Sequence, residues 1–286
     1  KVGGFKACFT SRVPKGAGVS SSSAFEVLVG EIFNRFYNDG KISAIEKAKA
    51  SQYAENRYFG KPCGLMDQAA IALGGVNLID FKDTQNPDVI PAPWNDNTLD
   101  IFVINAGGDH SDLVADYAGI LNDMKSVAKF FSVDSLRFTA KSEVLKYAQT
   151  LSQKVSGRAV LRALHFFEEC DRVDLALKFI KEGDTKSFLQ VINESGDSSW
   201  KLLQNLYPPS DTAQYLPFAI TYAKESGLCE AVRVHGGGFA GTILAFVKKD
   251  NSEKFKKLMA DMFGDDCVFK LVVRNSGATL VTEVNL

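Results

Sequence analysis

The stretch VPKGAGVSSSSAFEV, Val13–Val27, places Gly-Ala-Gly and four serines ahead of a run with helical spacing. Phe25, Leu28, Val29, Ile32, Phe33 and Phe36 recur on one helix face, so Ser21–Tyr37 reads as an amphipathic helix. Phe5–Val13 reads as a strand entering the turn. Serine and glycine are poor helix formers. Here they stand where the first N–H groups of a helix have no internal partner. The macrodipole adds partial positive charge there, and glycines let a phosphate approach the backbone. The residues alone leave two readings open, a phosphate cradle and a plain capped turn. No Lys follows the glycines in the frame of a Walker A loop, and Ser21 occupies the last glycine of a G-x-G-x-x-G fingerprint, so both familiar loops are excluded.

Working outward, Ser43-Ala-Ile-Glu46 has the form of a capping box, opening a helix to about Arg57. FGKPCG (59–64) breaks it, LMDQAAIAL (65–73) starts another near Gly64, and Gly74-Gly75 ends that one. VNLIDF (76–81) and LDIFVIN (99–105) read as strands, separated by a Pro- and Asn-rich loop over 85–98. Helical spacing then dominates Asp112–Phe131, Ser142–Gln153, Arg158–Lys181, Thr185–Leu206 and Thr212–Ser226. Strands return at AVRVH (231–235), GTILAFV (241–247), FKLVVR (269–274) and TLVTEV (279–284), with a helix at Ser252–Phe263. Strands around a late helix suggest a split βαβ layer. Segregated strands and helices favour an α+β class, with a domain seam somewhere over 85–112.

Two acids, Glu55 and Asp67, flank the FGKPCG break, and the turn can fold them toward one point. Phosphoryl transfer to a hydroxyl uses one carboxylate to orient or deprotonate the attacking oxygen and another to hold Mg²⁺. The plain alternative is an acid suiting the dipole of a helix's first turn.

These segments carry a resemblance. PKGAGVSSSSA resembles the P-x-G-x-G-L-S-S-S-A loop of the GHMP small-molecule kinases, with Val19 for Leu and Ser23 for Ala. AENRYFGKPCGLMDQ resembles the galactokinase string A-E-x-x-x-x-G-x-P-C-G-I-M-D-Q. VRVHGGGFAGT (232–242) resembles that family's GGGFGGC motif, with Ala240 for Gly and Thr242 for Cys. The resemblance covers nearly the whole chain. It implies a two-domain GHMP kinase fold, with the active-site cleft between a remaining N-terminal domain, 1–104, and a C-terminal domain, 105–286. It implies transfer of the γ-phosphoryl of ATP to O1 of galactose. Gly16, Ala17, Gly18, Val19, Ser20, Ser21, Ser22 and Ser23 are then expected to hold the phosphates, Ser22 and Glu55 Mg²⁺, and Asp67 the attacking hydroxyl. Gly64, Asp67 and Tyr117 are expected at the sugar, with Gly236, Gly237 and Gly238 shaping the site. Cys63 is read as packing. A kinase for N-acetylgalactosamine, arabinose or another sugar, and a non-catalytic sugar sensor, remain as alternatives.

The family's G-R-V-N-x-I-G-E-H-x-D-Y strand has no counterpart here, and the chain opens at Lys1-Val-Gly-Gly. A truncated galactokinase, nearly inactive alone, is the expectation. The 33 basic and 34 acidic residues nearly cancel, which leaves no electrostatic footprint for nucleic acid. No run approaches the roughly 18 apolar residues of a membrane span. The five cysteines lack CxxC spacing, which argues against zinc and a disulfide framework and suits a reducing cytoplasm. A monomer is expected, with small molecules as its partners. His110, His165 and His235 are too dispersed for a metal cluster; His165 reads as a satisfied surface or core residue, and His235 as a strand cap.

Overall fold

The computed structural model describes residues 2–13, 19–60, 63–108, 113–208, 211–239 and 241–281. The chain divides into one unit comprising 1–94 with 272–286, and a second comprising 95–271.

The first unit packs three helices, α1 (Ser21–Asn38), α2 (Ala44–Arg57) and α3 (Met66–Leu73), with a hairpin of β1 (Asn77–Asp80) and β2 (Asp88–Pro91). The capping box of α2 forms: Ser43 Oγ accepts from Glu46 N at 3.2 Å and Glu46 Oε2 accepts from Ser43 N at 2.9 Å. Val27, Ala48, Leu65, Ala69 and Ala72 make the core. Gly74 ends α3 with φ 69° and returns to the tail, Gly75 N–H donating to Arg274 O at 2.6 Å.

Four sequence expectations change here. The buried face of α1 is Ser23, Val27, Glu31 and Asn34, whereas Phe25, Leu28 and Phe36 are exposed. Glu31 can enter the interior because Lys47 of α2 pairs with it, and Asn34 and Arg35 bond it as well. Phe5–Val13 forms no strand ladder among the described residues; Phe5 and Phe9 instead stack edge-on against Phe33 and Phe25 of α1. Residues 279–281 form no strand either, and 282–284 lie outside the described residues. Strand β2 was hidden in the Pro- and Asn-rich loop, because Pro91 is tolerated only at a strand's edge.

The second unit is built on a four-stranded antiparallel sheet, ordered β4 (Ala231–Val234), β5 (Thr242–Lys248), β3 (Leu99–Asn105) and β6 (Val268–Leu271). Phe102 pairs with Ala245 on one side and Lys270 on the other. Since β5 and β6 both run antiparallel to β3, they are parallel to each other, and α10 (Ser252–Phe263) connects them. That is the split βαβ arrangement. Phe255 and Met259 of α10, one turn apart, bury completely against Phe102, Ile104 and Ile243. The other helices are α4 (Val114–Phe130), α5 (Lys141–Lys146), α6 (Ala148–Lys154), α7 (Gly157–Glu182), α8 (Thr185–Ser198) and α9 (Tyr215–Glu225). The helix expected over 142–153 is two, broken at Tyr147. The helix expected to Leu206 turns into a π-turn at Ser199–Leu203. No helix of the described residues is long and apolar enough to cross a membrane.

Candidate active site

The site grows from the N-terminus of α1. Ser20 precedes the helix in a left-handed conformation, φ 57°, and gives no side-chain cap. Its Oγ donates instead to Asp67 Oδ2 at 2.5 Å. Asp67 lies in the first turn of α3, where the dipole favours a carboxylate. In the first turn of α1, the exposed Ser22 donates through Oγ to Glu55 Oε1 at 3.2 Å. The structure therefore brings both acids to one serine-rich helix mouth.

Glu55, in the last turn of α2, is 3% exposed. A buried carboxylate needs donors, and it receives Gln68 Nε2 at 2.8 Å and the Cys63 thiol at 3.4 Å. The Cys63 amide donates to Asn56 Oδ1 at 2.8 Å, while Gln52 and Asn56 donate to the Cys63 carbonyl at 3.1 and 3.3 Å. This grip fixes the return of the chain from α2 to α3, so that two acids twelve residues apart converge. Gln68 and Asn56 were not anticipated; their only sequence signal was membership of the same string as Glu55 and Asp67.

Gly16, Ala17 and Gly18 lie outside the described residues, as does His110. Val19 and Ser21 are half-buried, and Ser23 turns its side chain inward, 2% exposed. Open space surrounds Gly64, where an added Cβ would meet nothing within 4 Å. Among the described residues no three His, Cys, Asp or Glu side chains gather as a metal site. One carboxylate beside one hydroxyl still suits Mg²⁺, a hard cation that keeps several waters and takes its remaining oxygens from phosphates.

Tyr117 and the three glycines belong to the second unit. Tyr117 Oη donates to Gly238 O at 2.7 Å, and its ring meets Phe239 edge-on at 5.3 Å. Burial raises the Tyr117 pKa, with the Asp116 charge adding to the effect. Gly237 has no room for a side chain, since a Cβ would stand 2.7 Å from the Tyr117 ring. His235 N–H donates to Thr242 O at 2.9 Å, extending the β4–β5 ladder one step. His165 is a buried core residue, 2.9 Å from Ser198 Oγ.

Residues 1–75 match the N-terminal domain of the GHMP kinases. A Lactococcus lactis galactokinase, solved in complex with galactose, superposes with a TM-score of 0.75 at 23% identity, over 93% of this chain and 68% of that one. A mevalonate kinase from L. major superposes with a TM-score of 0.57 at 15% identity, over 87% and 64%. The fold is therefore that of the GHMP kinases. The galactokinase of Pyrococcus furiosus is 32% identical over 261 residues, 88% of this chain and 67% of its own length. That of Clostridium tetani is 28% identical over 273 residues, 92% of this chain. Within the GHMP kinases, this chain belongs to the galactokinase family. It spans 66% of the Clostridium tetani protein's length and 64% of that from Glaesserella parasuis.

Proposed function

We propose that this chain carries the phosphate-holding and hydroxyl-activating side of a kinase that transfers the γ-phosphoryl of ATP to O1 of galactose. The observation that carries the reading is the pairing of Ser20 with Asp67 and of Ser22 with Glu55 at one helix mouth, 2.5 and 3.2 Å. Gly16–Ser23 would hold the phosphates with backbone N–H groups, joined by hydroxyls of the serines other than the inward-turned Ser23. Ser22 and Glu55 would hold Mg²⁺, which neutralises phosphate charge. Asp67 would take the proton of the sugar O1–H as the O1–P bond forms and the bond from γ-phosphorus to the bridging oxygen breaks, ADP leaving. Gly64 and Tyr117 are assigned to the sugar, and Gly236, Gly237 and Gly238 to shaping. The domains are assigned to 1–104 and 105–286. A cytoplasmic monomer without nucleic-acid or membrane partners completes the reading, supported by the balanced charge and by cysteines without CxxC spacing.

No cation among the described residues pairs with Asp67, so none of them supplies a counter-charge there for charge developing on the phosphoryl group. Turnover by this chain alone is expected to stay near background. Calorimetric titration with ATP tests the reading without turnover. Micromolar binding in Mg²⁺ is expected, weakened about tenfold by Glu55→Gln or Ser22→Ala and within twofold of the parent for Asp67→Asn. Absence of binding, or binding indifferent to Ser22 and Glu55, refutes the assignment. Strong galactose-dependent ADP formation, lost in Asp67→Asn, would overturn the low-turnover expectation.

A further inference from the structure

The π-turn Ser199–Leu203 closes with Gln204 N–H donating to Ser199 O at 2.8 Å, and Gln204 takes a left-handed φ of 58°. Such a turn redirects a helix, and single π-turns recur at functional sites. Arg162, 4% exposed, pins it: Nε donates to Leu203 O at 3.0 Å and Nη1 to Asp123 Oδ2 at 2.8 Å. The redirected chain delivers Asn205, 2% exposed, to the glycine turn 236–239. Asn205 Nδ2 donates to Gly237 O at 3.0 Å, and the Asn205 carbonyl accepts the Phe239 N–H. Tyr117 holds the next carbonyl, that of Gly238. Gly238 has φ 85°, and a Cβ there would drive into the Asn205 carbonyl. Phe239 is itself left-handed, φ 60°. Such a conformation in a bulky residue persists only when the surroundings impose it.

Among the described residues, the buried Asn205 Oδ1 also finds no partner. An orphaned acceptor costs stability, so general packing does not account for an amide at this point. We propose that Asn205 is a positioning residue that clamps the Gly236–Phe239 turn in its left-handed form, with the Arg162-pinned π-turn as its mount. The relevance to catalysis rests on the site-shaping role assigned to these glycines; the clamp itself does not.

Amide hydrogen exchange on this chain tests it, normalised to unstructured rates and read at the Phe239 N–H against the β3–β5 ladder. Asn205→Ala should lower Phe239 protection about tenfold while the ladder amides stay within twofold. Asn205→Asp supplies a conservative rescue with a pH signature. As a neutral acid it donates to Gly237 O; as a carboxylate it faces that oxygen with no donor. Its Phe239 protection should approach the parent's at pH 5 and fall about tenfold by pH 8, the parent staying level. This variant also serves if Asn205→Ala fails to fold. Phe239 protection unchanged in Asn205→Ala, falling in step with the ladder, or flat with pH in Asn205→Asp overturns the clamp. Nucleotide binding is not part of the readout, so loss of the kinase reading leaves the clamp testable.

Discussion

Ser20 joins two opposing terms that substitution can separate. Its hydroxyl bonds a carboxylate at 2.5 Å in a half-buried setting. Hydrogen bonds to charged groups contribute about 1.5–3 kcal/mol, and partial exposure points to the lower end, about 1.5 kcal/mol. Its backbone is left-handed, φ 57°, which costs a residue with a Cβ about 1–2 kcal/mol. Ser20→Ala removes the bond and keeps the strain, so it should destabilise the first unit by about 1.5 kcal/mol. Ser20→Gly also removes the bond but relieves the strain. Glycine's extra freedom in the unfolded chain takes back about 0.4–1 kcal/mol, so Ser20→Gly should be the more stable of the two by about 0.5–1 kcal/mol. The chain has two tryptophans, and Trp94 belongs to the first unit. Urea unfolding followed by fluorescence in a Trp200→Phe background therefore reports that unit alone. If Ser20→Gly is no more stable than Ser20→Ala, the strain argument fails; if Ser20→Ala matches the parent, so does the bond.

Two further predictions follow the buried charges. Lys47→Met leaves Glu31 buried with Arg35 and Asn34 alone and should cost about 3 kcal/mol, the low end for breaking a buried pair. Burial alone would raise the Glu31 pKa, but the hydrogen bonds from Lys47, Arg35 and Asn34 outweigh it and hold the pKa below the ordinary 4.5. The stabilisation is thus present above pH 4.5 and lost as pH falls through the lower folded value. Glu31→Gln should flatten that acid limb in urea midpoints measured from pH 5 to 2. His165 is pushed by burial from 6.5 down to about 4. The unfolded chain then binds the proton first, so the second unit should lose up to about 3 kcal/mol between pH 6.5 and 4. A Trp94→Phe chain, read at Trp200, should show this slope, and His165→Asn should remove it; equal slopes would contradict the assignment.

Local chemistry was legible in the residues, and distant chemistry was not. The Ser43–Glu46 box, the Gly74 stop and the helix over Ser252–Phe263 depend on neighbours within a turn or two. The convergence of Glu55 and Asp67 was legible because the break between them is short and dense with turn residues. The buried face of α1 was misread for the opposite reason. Periodicity selects six residues, of which Val29, Ile32 and Phe33 are half-buried and Phe25, Leu28 and Phe36 exposed; Lys47, sixteen residues from Glu31, draws the Glu31 side inward. Asn205 escaped notice because its partner Gly237 lies 32 residues away and nothing in LLQNLY marks a bend. The two units divide between Trp94 and Asn95, and among the described residues LDIFVIN pairs with β5 and β6, far along the chain.

The exposed rings of α1 have a practical consequence. Phe25 and Phe36 are 53% and 69% exposed, and Tyr58 and Phe59 stand further out at 81% and 76%. Water-facing rings of this kind attract one another, and a formal charge of −1 offers little repulsion between molecules. Light scattering of the purified chain will accordingly climb with concentration, most steeply near its isoelectric point of about 6.4, and aspartates replacing Phe25 and Phe36 will keep solutions clear.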